Sequence, residues 1–234
     1  MSKTVSLTAV IICNEDSATI AKSIESFIGS VNEEFRLVVV DNASKDGSFD
    51  VIRETIKSTQ VQDNLGTDEP EKITFNKIGK ASIVGIKFKK KRNIPVLLNY
   101  AINSTKQDTQ FYIFSQRAMI LGNFAETAVA TLKYNPAVGI VYSDFEFNGE
   151  TSLLKSFERD DALTMLVPDN FACQAHLFSN EAFDETLATG YNADLFVKTC
   201  QNNLLSHIPI PLFKSYDKKY ASIKHNYTGS GIWA

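Results

Sequence analysis

Cysteine is scarce in this chain. Cys13, Cys173 and Cys200 are an odd number of thiols with no CxxC pair, which argues against a disulfide framework and against a structural zinc site. His176, His207 and His225 are dispersed without metal-ligand spacing and read as surface or hydrogen-bonded histidines. An excess of positive charge is also missing. With 24 Lys and Arg against 27 Asp and Glu, the net charge of -3 provides no global field for nucleic acid or an anionic membrane, so any such contact must be local. Long apolar runs are absent too. The stretch Val5 to Cys13 is broken by Ser6 and Thr8, ends at Asn14-Glu15-Asp16, and falls short of the ~20 residues a membrane span needs. It carries no small-residue cleavage site. Reduced thiols and no transmembrane segment make a cytoplasmic protein the expectation, and the sequons at Asn42, Asn103 and Asn226 read as chance matches. Finally, there is no GxGxxG after the first strand and no GxxxxGK[ST], which excludes the standard dinucleotide-binding and P-loop enzymes.

What is present is a strand and helix alternation. Val5 to Cys13 is nearly continuous in Val and Ile, as in a strand buried on both faces of a parallel sheet. Ile20, Ile24, Phe27 and Ile28 recur at helical spacing and predict a helix over Ser17 to Ser30. Phe35 to Val40 predicts a second buried strand, followed by the loop Asp41 to Gly47 and a helix over Phe49 to Lys57. This series favours parallel pairing with right-handed crossovers. Thr59 to Glu71 is polar and aperiodic, hence a loop. Lys72 to Asn76, Ser82 to Lys87, Phe111 to Phe114 and Val138 to Phe147 predict strands, and Ile208 to Ser215 a Pro-bounded one. Pro95 to Asn103, Ala125 to Tyr134 and Ala193 to Asn202 predict helices, Pro95 suiting a first turn. No repeat or linker divides the chain, so residues 1–234 are expected to form one α/β domain.

In an open parallel sheet, ligands bind beyond the carboxyl ends of the strands, where strand order reverses. Three strand ends carry polar clusters: Asn14-Glu15-Asp16, Asp41-Asn42-Ala43-Ser44 and Ser115-Gln116-Arg117. Their convergence would build one site. The bland reading is that these residues only close turns through their own backbone.

Leu7 to Glu15 (LTAVIICNE) and Leu37 to Gly47 (LVVVDNASKDG) resemble the opening of the family 2 inverting glycosyltransferases of GT-A fold. The resemblance continues through Lys91 to Ile102 (KRNIPVLLNYAI), Val138 to Asp144 (VGIVYSD) and Ala182 to Lys198 (AFDETLATGYNADLFVK), reaching about Tyr216. It implies a Rossmann-like nucleotide-diphospho-sugar transferase fold, with a mostly parallel central sheet flanked by helices. Residues 1–110 would be the nucleotide-binding half and 111–234 the acceptor-binding half. It further implies a nucleotide-sugar donor, UDP-linked as the first choice, and a saccharide or other hydroxyl acceptor. Asn14, Glu15 and Asp41 would hold base and ribose. Arg92 and Asn93 would lie near the diphosphate, where a guanidinium fork suits phosphate oxygens, and Gln116 and Arg117 are the remaining nucleotide-sugar-binding candidates.

Two departures from the family pattern stand out. Where the family has DxD, whose carboxylates hold Mg2+ or Mn2+, this chain reads Ser115-Gln116-Arg117, which leaves the metal in doubt and offers Arg117 as a fixed cation in its place. Asp144 and Glu146 share one face of a later strand and are a remote substitute. Where the family has its acidic ED motif, this chain reads Tyr191-Asn192-Ala193-Asp194-Leu195. Asp194 is then the catalytic base or merely a charge at a helix start, and both roles stay open. Asp184 and Glu185 are weaker candidates. The resemblance also keeps His225 as a metal-ligand candidate, while Tyr227 and Trp233, in a terminal stretch with Gly229 and Gly231, stack on a sugar ring, close over the donor or form a frayed tail. Two other functions remain in view: a catalytically silent binding or scaffold protein, and a transferase acting on modified DNA through the patch Lys87 to Arg92, nucleic acid being the less favoured partner.

Overall fold

The computed structural model describes residues 5–59, 61–63, 70–106, 109–154, 168–178 and 183–216. His225, Tyr227 and Trp233 therefore lie outside the described residues. In chain order the elements are β1 (Val5–Cys13), α1 (Ile20–Ser30), β2 (Phe35–Asp41), α2 (Ser48–Thr55), β3 (Val61–Asp63), β4 (Lys72–Ile78), β5 (Ala81–Lys87), α3 (Ile94–Thr105), β6 (Thr109–Gln116), β7 (Ala118–Ile120), α4 (Phe124–Tyr134), β8 (Val138–Phe147), β9 (Glu150–Ser152), β10 (Phe171–Gln174), a 3-10 turn (Ala175–Phe178), α5 (Tyr191–Cys200) and β11 (Leu204–Ser215). No described helix is long and apolar enough to cross a membrane.

All the described strands join one sheet in the order β3-β4-β5-β2-β1-β6-β10-β8-β11-β7, with β9 beside β8. The centre β5-β2-β1-β6 is parallel, as the strand and helix alternation predicts. From Ala9 to Cys13 no side chain of β1 exceeds 2% exposure, because helices cover both faces of this parallel centre. Beyond β6 the sheet becomes mixed: β10 is antiparallel to both β6 and β8, while β8 and β11 run parallel. β10 is only four residues long and leaves little periodic signal in the sequence. Between Ile208 and Pro211 the β8–β11 register shifts, at a Pro-Ile-Pro step that cannot donate a regular ladder bond.

Element boundaries differ from the sequence pattern where side chains intervene. α1 begins at Ile20 rather than Ser17, because Asp16 first forms a turn: its carbonyl accepts from the Thr19 and Ile20 N–H groups. α5 begins at Tyr191, two residues early, where Gly190 supplies the left-handed entry. The stretch Thr59 to Glu71, expected as loop, includes the short edge strand β3.

Candidate active site

Strand order reverses between β1 and β6: β2 and β5 lie to one side of β1, and β6 to the other. The three polar strand ends therefore meet as neighbours. The register sets Cys13 beside Asp41 and Ile12 beside Gln116, which places Asn14, Asn42 and Arg117 together just past the sheet.

The Asp41 to Ser48 loop is built to hold the loop after β1. The Glu15 N–H donates to Ser44 Oγ at 3.0 Å, Asp16 N–H to Ser48 Oγ at 3.0 Å, and Ser17 N–H to Asp46 Oδ2 at 2.9 Å. Asn42 reaches the other way. Its side chain accepts from Arg92 N–H at 2.8 Å and donates to the Arg92 carbonyl at 3.0 Å, while Phe88 N–H donates to the Asp41 carbonyl at 2.9 Å. The loop carrying Lys89, Lys90, Lys91 and Arg92 is thus pinned at both ends, and all four side chains are exposed.

Asp41 is fully buried. Its Oδ2 accepts from Ser44 N–H at 3.2 Å, so part of the carboxylate does close a local turn, but its buried Oδ1 has no partner. Burial pushes the carboxyl above its ordinary value, against the opposing pull of the Ser44 hydroxyl, the Ser44 N–H and Lys87. Glu15 is different. The Lys45 N–H and then Lys91, at 3.2 Å, hold it below the ordinary carboxylate value and occupy both its oxygens.

Among the described residues, only four buried side-chain polar atoms lack a partner: Asn14 Oδ1, Asp41 Oδ1, Ser115 Oγ and Arg53 Nε. Three of these four lie at the ends of β1, β2 and β6. Each unpaired buried polar atom costs roughly 1–3 kcal/mol, so their concentration here is a feature that a ligand would relieve. The backbone repeats the pattern. Of the five non-glycine residues with positive φ among the described residues, Glu15 (53°), Ala43 (52°) and Arg117 (43°) sit at the same three strand ends. Such conformations cluster where a fold binds or reacts.

Arg117 spans the reversal point, donating from Nη2 to the Asn14 carbonyl at 2.7 Å. Gln116 Nε2 donates to Tyr191 Oη at 2.7 Å, and the Gln116 N–H donates to Asn170 Oδ1 at 3.1 Å. A direct bond between Gln116 and Tyr191 has no signal in the sequence, since the two lie 75 positions apart. Asn93 Nδ2 donates to the Glu185 carbonyl at 3.3 Å, tying the start of α3 to the 183–186 turn. Glu185 itself accepts from Asn99 at 3.0 Å, and Asp184 from Thr186. Asp194 pairs with Lys198 at 3.1 Å on the surface of α5.

The strand end does not fit a Mg2+ or Mn2+ site. Such hard ions take carboxylate oxygens, whereas the positions here hold a hydroxyl, an amide already engaged by Tyr191, and a guanidinium. The remote pair is spoken for as well. Asp144 accepts from the Leu154 N–H at 2.7 Å and lies 2.8 Å from His207 Nε2, and Glu146 pairs with Lys214 at 2.8 Å.

A cleft of about 260 Å³, lined by Val31, Asn32, Glu33, Glu126, Lys133 and Tyr134, opens at the opposite, amino-terminal end of the sheet. None of the unpartnered atoms or left-handed residues lines it.

No protein-family model matches the sequence, and no curated protein matches it. Solved structures do. Residues 1–349 of Staphylococcus aureus TarS, in complex with UDP, superpose with a TM-score of 0.69 at 13% identity over 90% of this chain and 60% of that one. A mannosyltransferase from Pyrobaculum calidifontis, in complex with GDP-Man and Mn2+, gives 0.63 at 13% identity over 100% and 67%. Glucosyl-3-phosphoglycerate synthase from Mycobacterium tuberculosis, in complex with Mg2+ and UDP, gives 0.60 at 13% identity over 94% and 74%. The chain spans about 60% of the length of the TarS fragment that it matches. Its fold is therefore the GT-A fold of glycosyltransferases.

Proposed function

We propose that this chain is a glycosyltransferase that moves a sugar from a nucleotide donor to a hydroxyl acceptor, with inversion at the anomeric carbon. The observation that carries it is the gathering of buried, unpartnered Asn14 Oδ1, Asp41 Oδ1 and Ser115 Oγ at three adjacent strand ends of a GT-A fold. Two of these atoms are pure acceptors, so they suit the N–H and O–H donors of a base and ribose. Glu15, held by Lys45 and Lys91, orients the rim. Arg92, Asn93, Gln116 and Arg117 frame the diphosphate side.

In the transfer, the acceptor oxygen attacks the anomeric carbon. The bond from that carbon to the diphosphate oxygen breaks, its electron pair leaving on the phosphate. The acceptor proton passes to a carboxylate, for which Asp194 is the candidate.

Isothermal titration of UDP, GDP and CDP tests the donor site. At least one should bind, and Asp41→Ala should weaken that binding tenfold or more; binding of none sinks the proposal. Asp194→Ala should lower the transfer rate about 10²- to 10⁴-fold with nucleotide affinity retained. A second reading, donor binding without transfer, is favoured by the Lys198 pairing of Asp194 and by Tyr191-Asn192 in place of acids. It predicts wild-type nucleotide affinity with no sugar transfer or donor hydrolysis.

A further inference from the structure

We propose that this site grips the donor diphosphate without a divalent cation, through Arg117 set on a neutral frame that joins β6 to α5. The proposal rests on the nucleotide-sugar reading above and goes further by naming the source of positive charge.

Four residues around the end of β6 shift the charge in one direction. Gln116 and Tyr191 bind each other through an uncharged amide and phenol at 2.7 Å, closing β6 onto the start of α5 where acidic groups would call for a metal between them. Asn192 donates to Asp169 Oδ1 at 3.0 Å and to the Pro168 carbonyl at 3.3 Å. An acid at position 192 would instead set two carboxylates against each other in a buried place, an arrangement stabilised only by a proton or a cation between them. The amide removes that demand.

Arg117 supplies the opposite charge. Its backbone is held in the left-handed region, at φ 43°, by the Tyr216 N–H, which donates to the Arg117 carbonyl at 2.7 Å. Its Nη2 bond to the Asn14 carbonyl aims the guanidinium across the reversal point between β1 and β6. A guanidinium carries five N–H donors, so the fork retains capacity for phosphate oxygens beyond that single bond. A half-buried cation also acts more strongly on a developing negative charge than one in bulk water. When the sugar–oxygen bond breaks, the electron pair that stays on the diphosphate faces Arg117.

The test is titration of UDP and GDP into the purified chain with EDTA and, separately, with Mn2+. The tighter nucleotide should bind with dissociation constants within twofold of each other under the two conditions. Arg117→Ala should weaken UDP or GDP at least tenfold more than it weakens the parent nucleoside, with thermal unfolding run alongside to verify folding. Ser115→Asp combined with Arg117→Asp should make binding depend on Mn2+. Wild-type binding only with Mn2+, or equal losses for nucleotide and nucleoside in Arg117→Ala, overturns the cation-free proposal while leaving the donor site intact. Absence of nucleotide binding under both conditions overturns the donor-site reading itself.

Discussion

Asp46 shows how one exposed side chain can fix a site that it does not enter. It accepts from the Ser17 and Ser48 N–H groups and the Ser48 hydroxyl. Although burial pushes its carboxyl up, these hydrogen bonds more than offset that and bring it down to about 2 from 3.8. A folded value below the unfolded one stabilises the protein above the unfolded value, and that contribution is lost as pH falls toward 2. The shift corresponds to about 2.4 kcal/mol at ~1.36 kcal/mol per unit, and solvent screening of so exposed a group reduces this to about 1 kcal/mol. Asp46→Asn should therefore lower the unfolding free energy at pH 7 by about that amount, and the difference from wild type should shrink between about pH 4 and pH 2. A pH-independent difference in urea denaturation would contradict it. Asp41 runs in the opposite sense. Its raised carboxyl favours the folded state below the unfolded value and loses that favour as pH rises through the folded one.

At the scale of elements, two contacts decide how closely neighbours approach. A Cβ built on Gly139 would meet Thr199 Cγ2 at 2.6 Å and Asn203 Cβ at 2.9 Å, so glycine lets the end of α5 lie directly on β8. Gly139→Ala should cost about 1–3 kcal/mol by equilibrium denaturation, through overpacking rather than backbone conformation. The Asn42 clasp is the second. Asn42→Ala removes the two hydrogen bonds from this side chain to the Arg92 peptide groups, at a cost of about 1–2 kcal/mol, and hydrogen exchange at the Arg92 amide should accelerate. Unchanged exchange there would mean that the Arg92 end of the loop is held by something other than the Asn42 side chain.

Much at this scale was legible locally. The Val and Ile runs of β1 and β2 mark strands buried on both faces, and the Asp-Asn-Ala-Ser-Lys-Asp-Gly-Ser segment announces a polar loop. The identity of its partners was not legible, because Ser44, Asp46 and Ser48 bind amides that only the β1–β2 pairing brings near.

Across the whole molecule, one aromatic group unites the two halves of the sheet. Phe114 on β6 lies 5.6 Å from Tyr112, 5.4 Å from Phe171, 5.9 Å from Phe178 and 5.6 Å from Phe183, measured between ring centroids. These rings come from β6, β10, the 3-10 turn and the segment before α5. Phe114→Ala should therefore cost about 3–5 kcal/mol, and circular dichroism should still report one cooperative transition, since the parallel centre and the mixed edge share this core. Two separate transitions would show that the halves fold independently.

By itself the sequence determined which residues are buried, where the central strands and helices lie, and that no phosphate-binding glycine loop or carboxylate pair closes β6. Those properties follow from local periodicity and residue chemistry, which act over a few positions. Only the tertiary structure decided that β10 enters the sheet between β6 and β8, that Gln116 meets Tyr191, and that Asp144 is occupied by His207. Strand adjacency and side-chain pairing between distant residues are set by how the finished layers pack, and no short window of sequence contains that information.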